Sequence, residues 1–177
     1  SADSNDKWPN KSVVGVFPTV YDDELLYSMV ARFSRLSGYT DAASTNLDLF
    51  GRAFGHAAPA LPSTLDVMAQ SLPASLGLTG RDLALRHTVL PYHCAFLTET
   101  AAERATRKAC ADPGKSVRPT RTVERPLARP TNLRFCPECN RAMERAGQDL
   151  HWKRVHQLAI VTVCPEHECD LRESGIR

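Results

Sequence analysis

No stretch of about 18 apolar residues occurs in this sequence, so no segment reads as a membrane span. The longest apolar runs, residues 13–17 and 158–163, are strand-sized. Phosphate loops are missing as well. The chain contains neither G-x-x-x-x-G-K-[ST] nor G-x-G-x-x-G, which removes the common nucleotide-hydrolysing and dinucleotide-binding classes. A secretory leader is not apparent. The chain opens Ser1-Ala2-Asp3 without an apolar h-region, and Ser1-Ala2 reads as a tag remnant. Six cysteines without a leader point to a reducing, cytoplasmic setting, where paired cysteines are metal candidates before they are disulfides. Aromatics are sparse at 7%, but 42% hydrophobic and 24% charged residues in 177 still make a globular profile. That length fits one domain, or one domain with a small satellite.

Net charge is only +2, yet it is unevenly spread. Residues 1–100 carry −3 and residues 101–177 carry +5. Residues 104–134 alone hold 9 basic side chains against Asp112 and Glu124. That stretch reads either as a phosphate-contacting arm or as a solvated linker. Each phosphate neutralised would release counterions, but no aromatic residue is interleaved for base stacking. As an arm, its DNA contacts would be Lys115, Arg118, Arg121, Arg125 and Arg129.

The pattern along the chain is mainly α. Asp22 or Asp23 is expected to cap a first helix that carries Leu25, Leu26, Met29, Val30, Phe33 and Leu36 to Gly38. Residues 41–50 form a second candidate, with Leu47 and Phe50 inward. Leu61-Pro62-Ser63 opens a third, with Leu65, Met68 and Leu72 on one face. Thr79-Gly80-Arg81-Asp82 is a capping box for a fourth that breaks before Pro91. Residues 101–109 suit a further helix. Residues 62–72 and 79–87 together have the lengths of a helix–turn–helix unit or of an αα-hairpin. Prolines then interrupt residues 112–130. The division expected is a flexible arm over 1–12, a helical domain over 13–110, a basic Pro-rich linker over 111–131 and a zinc-finger module over 132–177.

Chemistry concentrates in that last part. Cys136-Pro137-Glu138-Cys139 and Cys164-Pro165-Glu166-His167 are two matched pairs with 24 residues between them. Two such turns supply four ligands to one tetrahedral centre, which suits a single structural Zn²⁺ held by Cys136, Cys139, Cys164 and His167. Cys169 is the alternative fourth ligand. The count is full, so the site leaves no open position for a nucleophilic water. The bland alternative is reduced buried cysteines or a redox pair. His151 and His156, between the pairs, could be additional ligands but read more simply as packing or hydrogen-bonding residues around the site, one of which could orient a ligand. His87, His93, Cys94 and Cys110 admit a second metal site, but a helix-terminal histidine and small apolar cysteines explain them more simply. Asp22, Asp23 and Glu24 read as helix-start acids and not as a Mg²⁺ cluster.

Taken together, the motifs resemble a known family. Phe17-Pro18, the run Asp23-Glu24-Leu25-Leu26-Tyr27-Ser28 and Arg32 look like the opening of TniQ/TnsD transposition proteins. Leu61-Pro62-Ser63 with Leu65, then His87-Thr88-Val89-Leu90-Pro91-Tyr92, look like its next blocks. Arg134-Phe135-Cys136-Pro137-Glu138-Cys139, Trp152, His156-Gln157 and Cys164-Pro165-Glu166-His167 complete the set. Asp22 stands where a proline is common, and Glu168 where a glycine is common. Family members commonly continue further, so the chain is expected to correspond to the N-terminal TniQ domain.

The resemblance implies a bacterial, nucleoid-associated adaptor of Tn7-like transposition, not an enzyme. Such proteins select the target site, on DNA or with an RNA-guided CRISPR effector complex, and recruit the AAA+ regulator TnsC. A stand-alone zinc-containing DNA-binding regulator is the alternative. With the apolar faces spent on the core and the ligands on metal, Arg32, Arg35, Lys153 and Arg154 are the expected contacts for the regulator.

Overall fold

The computed structural model describes residues 13–51, 64–111 and 132–175. The arm over 1–12, the residues Leu61-Pro62-Ser63 and the basic stretch over 112–131 lie outside them.

Helix α1 (Leu26–Leu36) buries Leu26, Met29, Val30 and Phe33 at the expected spacing. Its start differs from expectation. Leu25 occupies the N-cap position with no side-chain cap bond. Asp23 instead sits in the left-handed region at φ 54. Its carboxylate is drawn away to accept from Arg154 Nε at 3.0 Å and from the Val155 N–H at 3.2 Å. A tertiary contact has displaced a local cap.

Helix α2 (Ala42–Phe50) is capped by Asp41, which accepts from the Ser44 N–H at 2.7 Å, and closed by Gly51 at φ 67. Its inward stripe is Thr45, Asn46, Leu49 and Phe50. Leu47, expected inward, is 54% exposed because it lies outside that stripe. Helix α3 (Leu65–Ser71) supplies Leu65, Met68 and the following Leu72 to the core.

Helix α4 (Gly80–His87) carries the full capping box, with Thr79 and Asp82 each accepting the other's N–H. Gly80 lets α4 start directly against α3. A Cβ there would stand 2.1 Å from Asp66 Oδ1 and 2.7 Å from its backbone nitrogen. The connection from Leu72 to Thr79 holds a short 3₁₀ turn at Ala74–Leu76. It is longer than the turn of about 3–4 residues in a helix–turn–helix unit, and α3 and α4 pack directly against each other across it. Helix α5 (Leu90–Cys94) accommodates Pro91 in its first turn, and α6 (Glu99–Ala111) follows.

The C-terminal part is smaller. Strand β1 (Arg134–Phe135) pairs antiparallel with β2 (Arg172–Glu173), and α7 (Pro137–Arg145) starts directly after β1. Gln157 mimics a third strand edge. Its side chain accepts from the Arg134 N–H at 3.0 Å and donates to the Arg134 carbonyl at 2.8 Å.

Residues 149–155 strap this part onto the helical part. The Leu25 N–H donates to the Trp152 carbonyl at 2.7 Å, and the Arg154 N–H to the Asp23 carbonyl at 2.7 Å. The Trp152 N–H donates to Ser28 Oγ at 3.1 Å. Leu25, Val89 and Leu133 form a small apolar cluster there with Tyr27, Trp152 and Leu158. Beneath it Glu24, fully buried, accepts from Arg32 Nη1 at 2.9 and 3.0 Å and from Ser28 Oγ at 2.9 Å. Arg32 also reaches Asp149 Oδ2 at 2.6 Å and lies over the Tyr21 ring.

Arg32→Met removes the partner of a fully buried carboxylate. It is expected to cost about 3–5 kcal/mol of stability, and adding Glu24→Gln should return part of that. Denaturant unfolding followed by circular dichroism checks both. An Arg32→Met midpoint equal to wild type would show that the pair does not hold this junction.

Candidate metal centre

The centre begins with β1, which delivers Cys136 to the N-cap of α7. Pro137 suits the first helical turn, since a proline there forfeits no intrahelical bond. The turn then folds the Cys139 N–H onto Cys136 Sγ at 3.3 Å. The second turn repeats the design. The Glu168 N–H donates to the Cys164 carbonyl at 2.9 Å, and the Cys164 N–H to the Cys169 carbonyl at 2.8 Å.

Cys136, Cys139, Cys164 and His167 thereby offer four ligand atoms within 4.8 Å of one another. His167 Nδ1 lies 3.7 Å from Cys136 Sγ, 3.4 Å from Cys139 Sγ and 3.6 Å from Cys164 Sγ. Cys139 and Cys164 sulfurs are 3.7 Å apart. A tetrahedron with metal–sulfur bonds of about 2.3 Å and metal–nitrogen bonds of about 2.0 Å has edges of roughly 3.5–3.8 Å. Four of the six edges have that length and all six lie within 4.8 Å, so the donor set fits one tetrahedral ion. The three cysteines are buried, and the exposed His167 closes the solvent side.

Electrostatics agree with a cation at this point. Burial pushes the Cys139 thiol far above the usual range, and its bonds to Cys164 and Cys136 push it the same way. Cys136 goes the other way. Against the opposing effect of burial, the Cys139 N–H and the neighbouring thiols hold it low. Crowded thiols cannot all ionise together unless a positive charge joins them. Lys153 supplies part of that charge. It is raised, against burial, by its bond to Glu166 and by Cys139 nearby. Cys169 is not among the four, although its sulfur stands 3.4 Å from Cys136 Sγ.

Neither central histidine joins the donor set. His151 Nδ1 is 3.0 Å from the Asp149 carbonyl, and its ring stacks on Tyr21 at 4.5 Å. His156 is buried, and burial followed by Lys153 pushes it down to about 4, so it is neutral. Among the described residues the Cys3His group is the only such cluster, so His87, His93, Cys94 and Cys110 form no second one. His87 is wholly buried, with Nδ1 2.9 Å from the Glu24 carbonyl. Cys110 packs in the main core with Cys94 against it.

The TniQ family model matches residues 16–171. The chain belongs to the TniQ family. It is 26% identical over 152 residues to the Transposon Tn7 transposition protein TnsD of Escherichia coli. That match covers 85% of this chain and 30% of the relative, so the chain spans about 30% of that protein's length. Residues 16–171 contain the candidate metal group, the strap and helices α1–α7.

Three of the four expected regulator contacts in this TniQ chain are spent inside the molecule. Arg32 is only 8% exposed and is held by Glu24 and Asp149. Arg154, 15% exposed, donates to Asp23 and to the carbonyls of Leu85 and Thr88 at 2.5 and 3.3 Å. Lys153 is bonded to Glu166. Only Arg35 remains on the surface. Arg32 and Arg154 join the strap to the helical part, and Lys153 joins the strap to the second metal turn. Sequence reading missed Glu24, Ser28 and Asp149 as parts of one site. The signal available was the four-residue spacing of Ser28 and Arg32 on one face of α1, with Glu24 four residues before Ser28 and just outside the helix. Lys115, Arg118, Arg121, Arg125 and Arg129 lie outside the described residues. No helix among the described residues is long and apolar enough to cross a membrane.

Glu168 sits at φ 53 in the second metal turn. That conformation disfavours any residue with a Cβ. Glu168→Gly is therefore expected to stabilise the metal-loaded protein by about 0.5–1 kcal/mol. A lower denaturation midpoint in that variant would contradict the account.

Proposed function

We propose that this chain is the TniQ portion of a target-site selection adaptor in Tn7-like DNA transposition. It recruits the AAA+ regulator TnsC to target DNA or to an RNA-guided effector complex. The observation that carries the reading is the family match over 16–171, reinforced by the relative named for Tn7 transposition. Its setting is the bacterial cytoplasm, associated with the nucleoid. The metal is one structural Zn²⁺ on Cys136, Cys139, Cys164 and His167. When bound, it supplies fixed geometry: four protein donors fill a tetrahedron, and the surrounding residues carry the binding surfaces. The residues themselves orient the module. Glu166 holds Lys153, and Lys153 leads into the strap.

In this reading the basic stretch contacts DNA phosphate through Lys115, Arg118, Arg121, Arg125 and Arg129. The exposed end of α1 around Arg35 meets the regulator. The parts divide as arm, helical domain, linker and zinc module, with the zinc module docked on the helices by the strap.

Elemental analysis is expected to find one zinc per chain, and Cys139→Ser to lose it. Because the strap joins both parts, that variant should melt well below wild type and not merely shed its C-terminal module. A protein free of zinc that keeps the wild-type melting temperature would end the metal assignment.

Pull-down with the matching TnsC, with and without DNA and ATP, tests the function. Retention of TnsC on the wild-type chain is expected, with Arg35→Glu weakening it about fivefold, or about 1 kcal/mol. DNA binding with no TnsC dependence would favour the stand-alone regulator instead.

A further inference from the structure

Helix α6 buries Thr106, Ala109 and Cys110 and turns Arg104, Arg107, Lys108 and Ala111 outward. The three cations stand at i, i+3 and i+4, so their side chains rise from one patch of helix surface. Together with Ala111 they line an open recess of about 490 Å³. Among the described residues Glu103, one helical turn from Arg107, is already engaged elsewhere. Glu103 accepts from Arg81 through both oxygens, at 2.7 and 3.0 Å, and Arg107 adds only a longer-range Coulombic contact. Among the described residues no ion pair reaches Arg104, Arg107 or Lys108. Three cations held close together without counter-charge repel one another, and a polyanion relieves that repulsion.

We infer that the outward face of α6 is a docking surface for the phosphodiester backbone of duplex DNA, centred on Arg104, Arg107 and Lys108. This rests on the DNA-contacting half of the proposed function and not on recruitment of the regulator. The chemistry of the face selects the partner. A helix that lies on a membrane sets large apolar residues beside its cations. Here the apolar face is buried in the core, and the outward patch holds only Ala111 besides the charges. Base stacking needs aromatics, and the patch has none. What remains is sequence-independent contact with phosphate, in which arginine forks pair bidentately with oxygen and lysine acts as a point charge. A helix also fixes the spacing of the three charges, which a solvated linker would not do.

The test uses the whole zinc-loaded chain and a mixed-sequence DNA duplex, with affinity measured across a salt series. Polyglutamate serves as a second probe. Arg104→Gln/Arg107→Gln/Lys108→Gln should reduce the slope of log affinity against log salt by about one for each cation lost, about three in all. Arg104→Lys/Arg107→Lys should keep the slope. Zinc content and helicity report on folding, and all three side chains are exposed, so folding is expected to survive. If the triple variant fails to fold, the three single glutamine variants are read, each expected to lose about one unit of slope. A wild-type slope that persists in the folded glutamine variants overturns the inference. It leaves the target-selection reading standing, because the duplex is still bound by other residues. Polyglutamate binding that matches the duplex and falls equally in the triple variant overturns it in favour of an acidic protein partner. Failure of the wild-type chain to bind duplex at all would overturn both this inference and the DNA contact on which it rests.

Discussion

The buried pair of Glu24 and Arg32 is the constraint on which the molecule's assembly depends. A wholly inaccessible carboxylate is tolerable only when its charge is matched and its oxygens are filled. Arg32, Ser28 and the Tyr21 N–H fill them. The arginine in turn extends to the Thr19 carbonyl and to Asp149, which belongs to the opposite part of the chain. Within this network the buried Glu24–Arg32 pair is costly to break from either side, and Arg32 ties it to the exposed Asp149 of the other part. An apolar contact would tolerate sliding. A buried ionic network fixes one register, and the strap over 149–155 is laid down in that register by the backbone bonds to Leu25 and Asp23.

The legibility of this structure in sequence divides along a physical line. Features decided by neighbours within a few residues are readable. The capping box at Thr79 and Asp82, the left-handed Gly51 and the apolar spacing of α1 all depend on local backbone chemistry. The four candidate metal ligands are readable for the same reason, since each turn of the group is closed by bonds within its own few residues. Glu168 shows the limit of that rule from inside it. Its departure from glycine is visible in sequence, but only the backbone reveals that it occupies a left-handed position.

What was not readable was decided by residues far apart in the chain. Asp23 looks like a helix cap until Arg154, 131 positions away, claims its carboxylate. Arg32 and Arg154 look like surface charges because arginine is mostly exposed. Their burial follows from partners that only the fold brings near. Leu47 is the opposite case, an apolar residue expected inside that the packing of α2 leaves outside. In each of these, tertiary contact overrode a local preference. The errors gather at the junction between the two parts, where a local rule has no information.

That junction also explains how a closed metal site can matter to a surface it does not touch. The second metal turn carries Glu166 between its two ligands, and Glu166 holds Lys153. Lys153 forms an isolated antiparallel bridge with Glu24, next to Arg154, whose guanidinium reaches the carbonyls that end α4. Every step in this chain is a direct contact, running from the exposed Glu166 inward to the half-buried Arg154 and the fully buried Glu24. The ion would fix the turn, the turn places Glu166, and Glu166 places the strap against α1 and α4. A site with all four positions filled by protein can thus set the relative placement of two helices without performing any chemistry of its own.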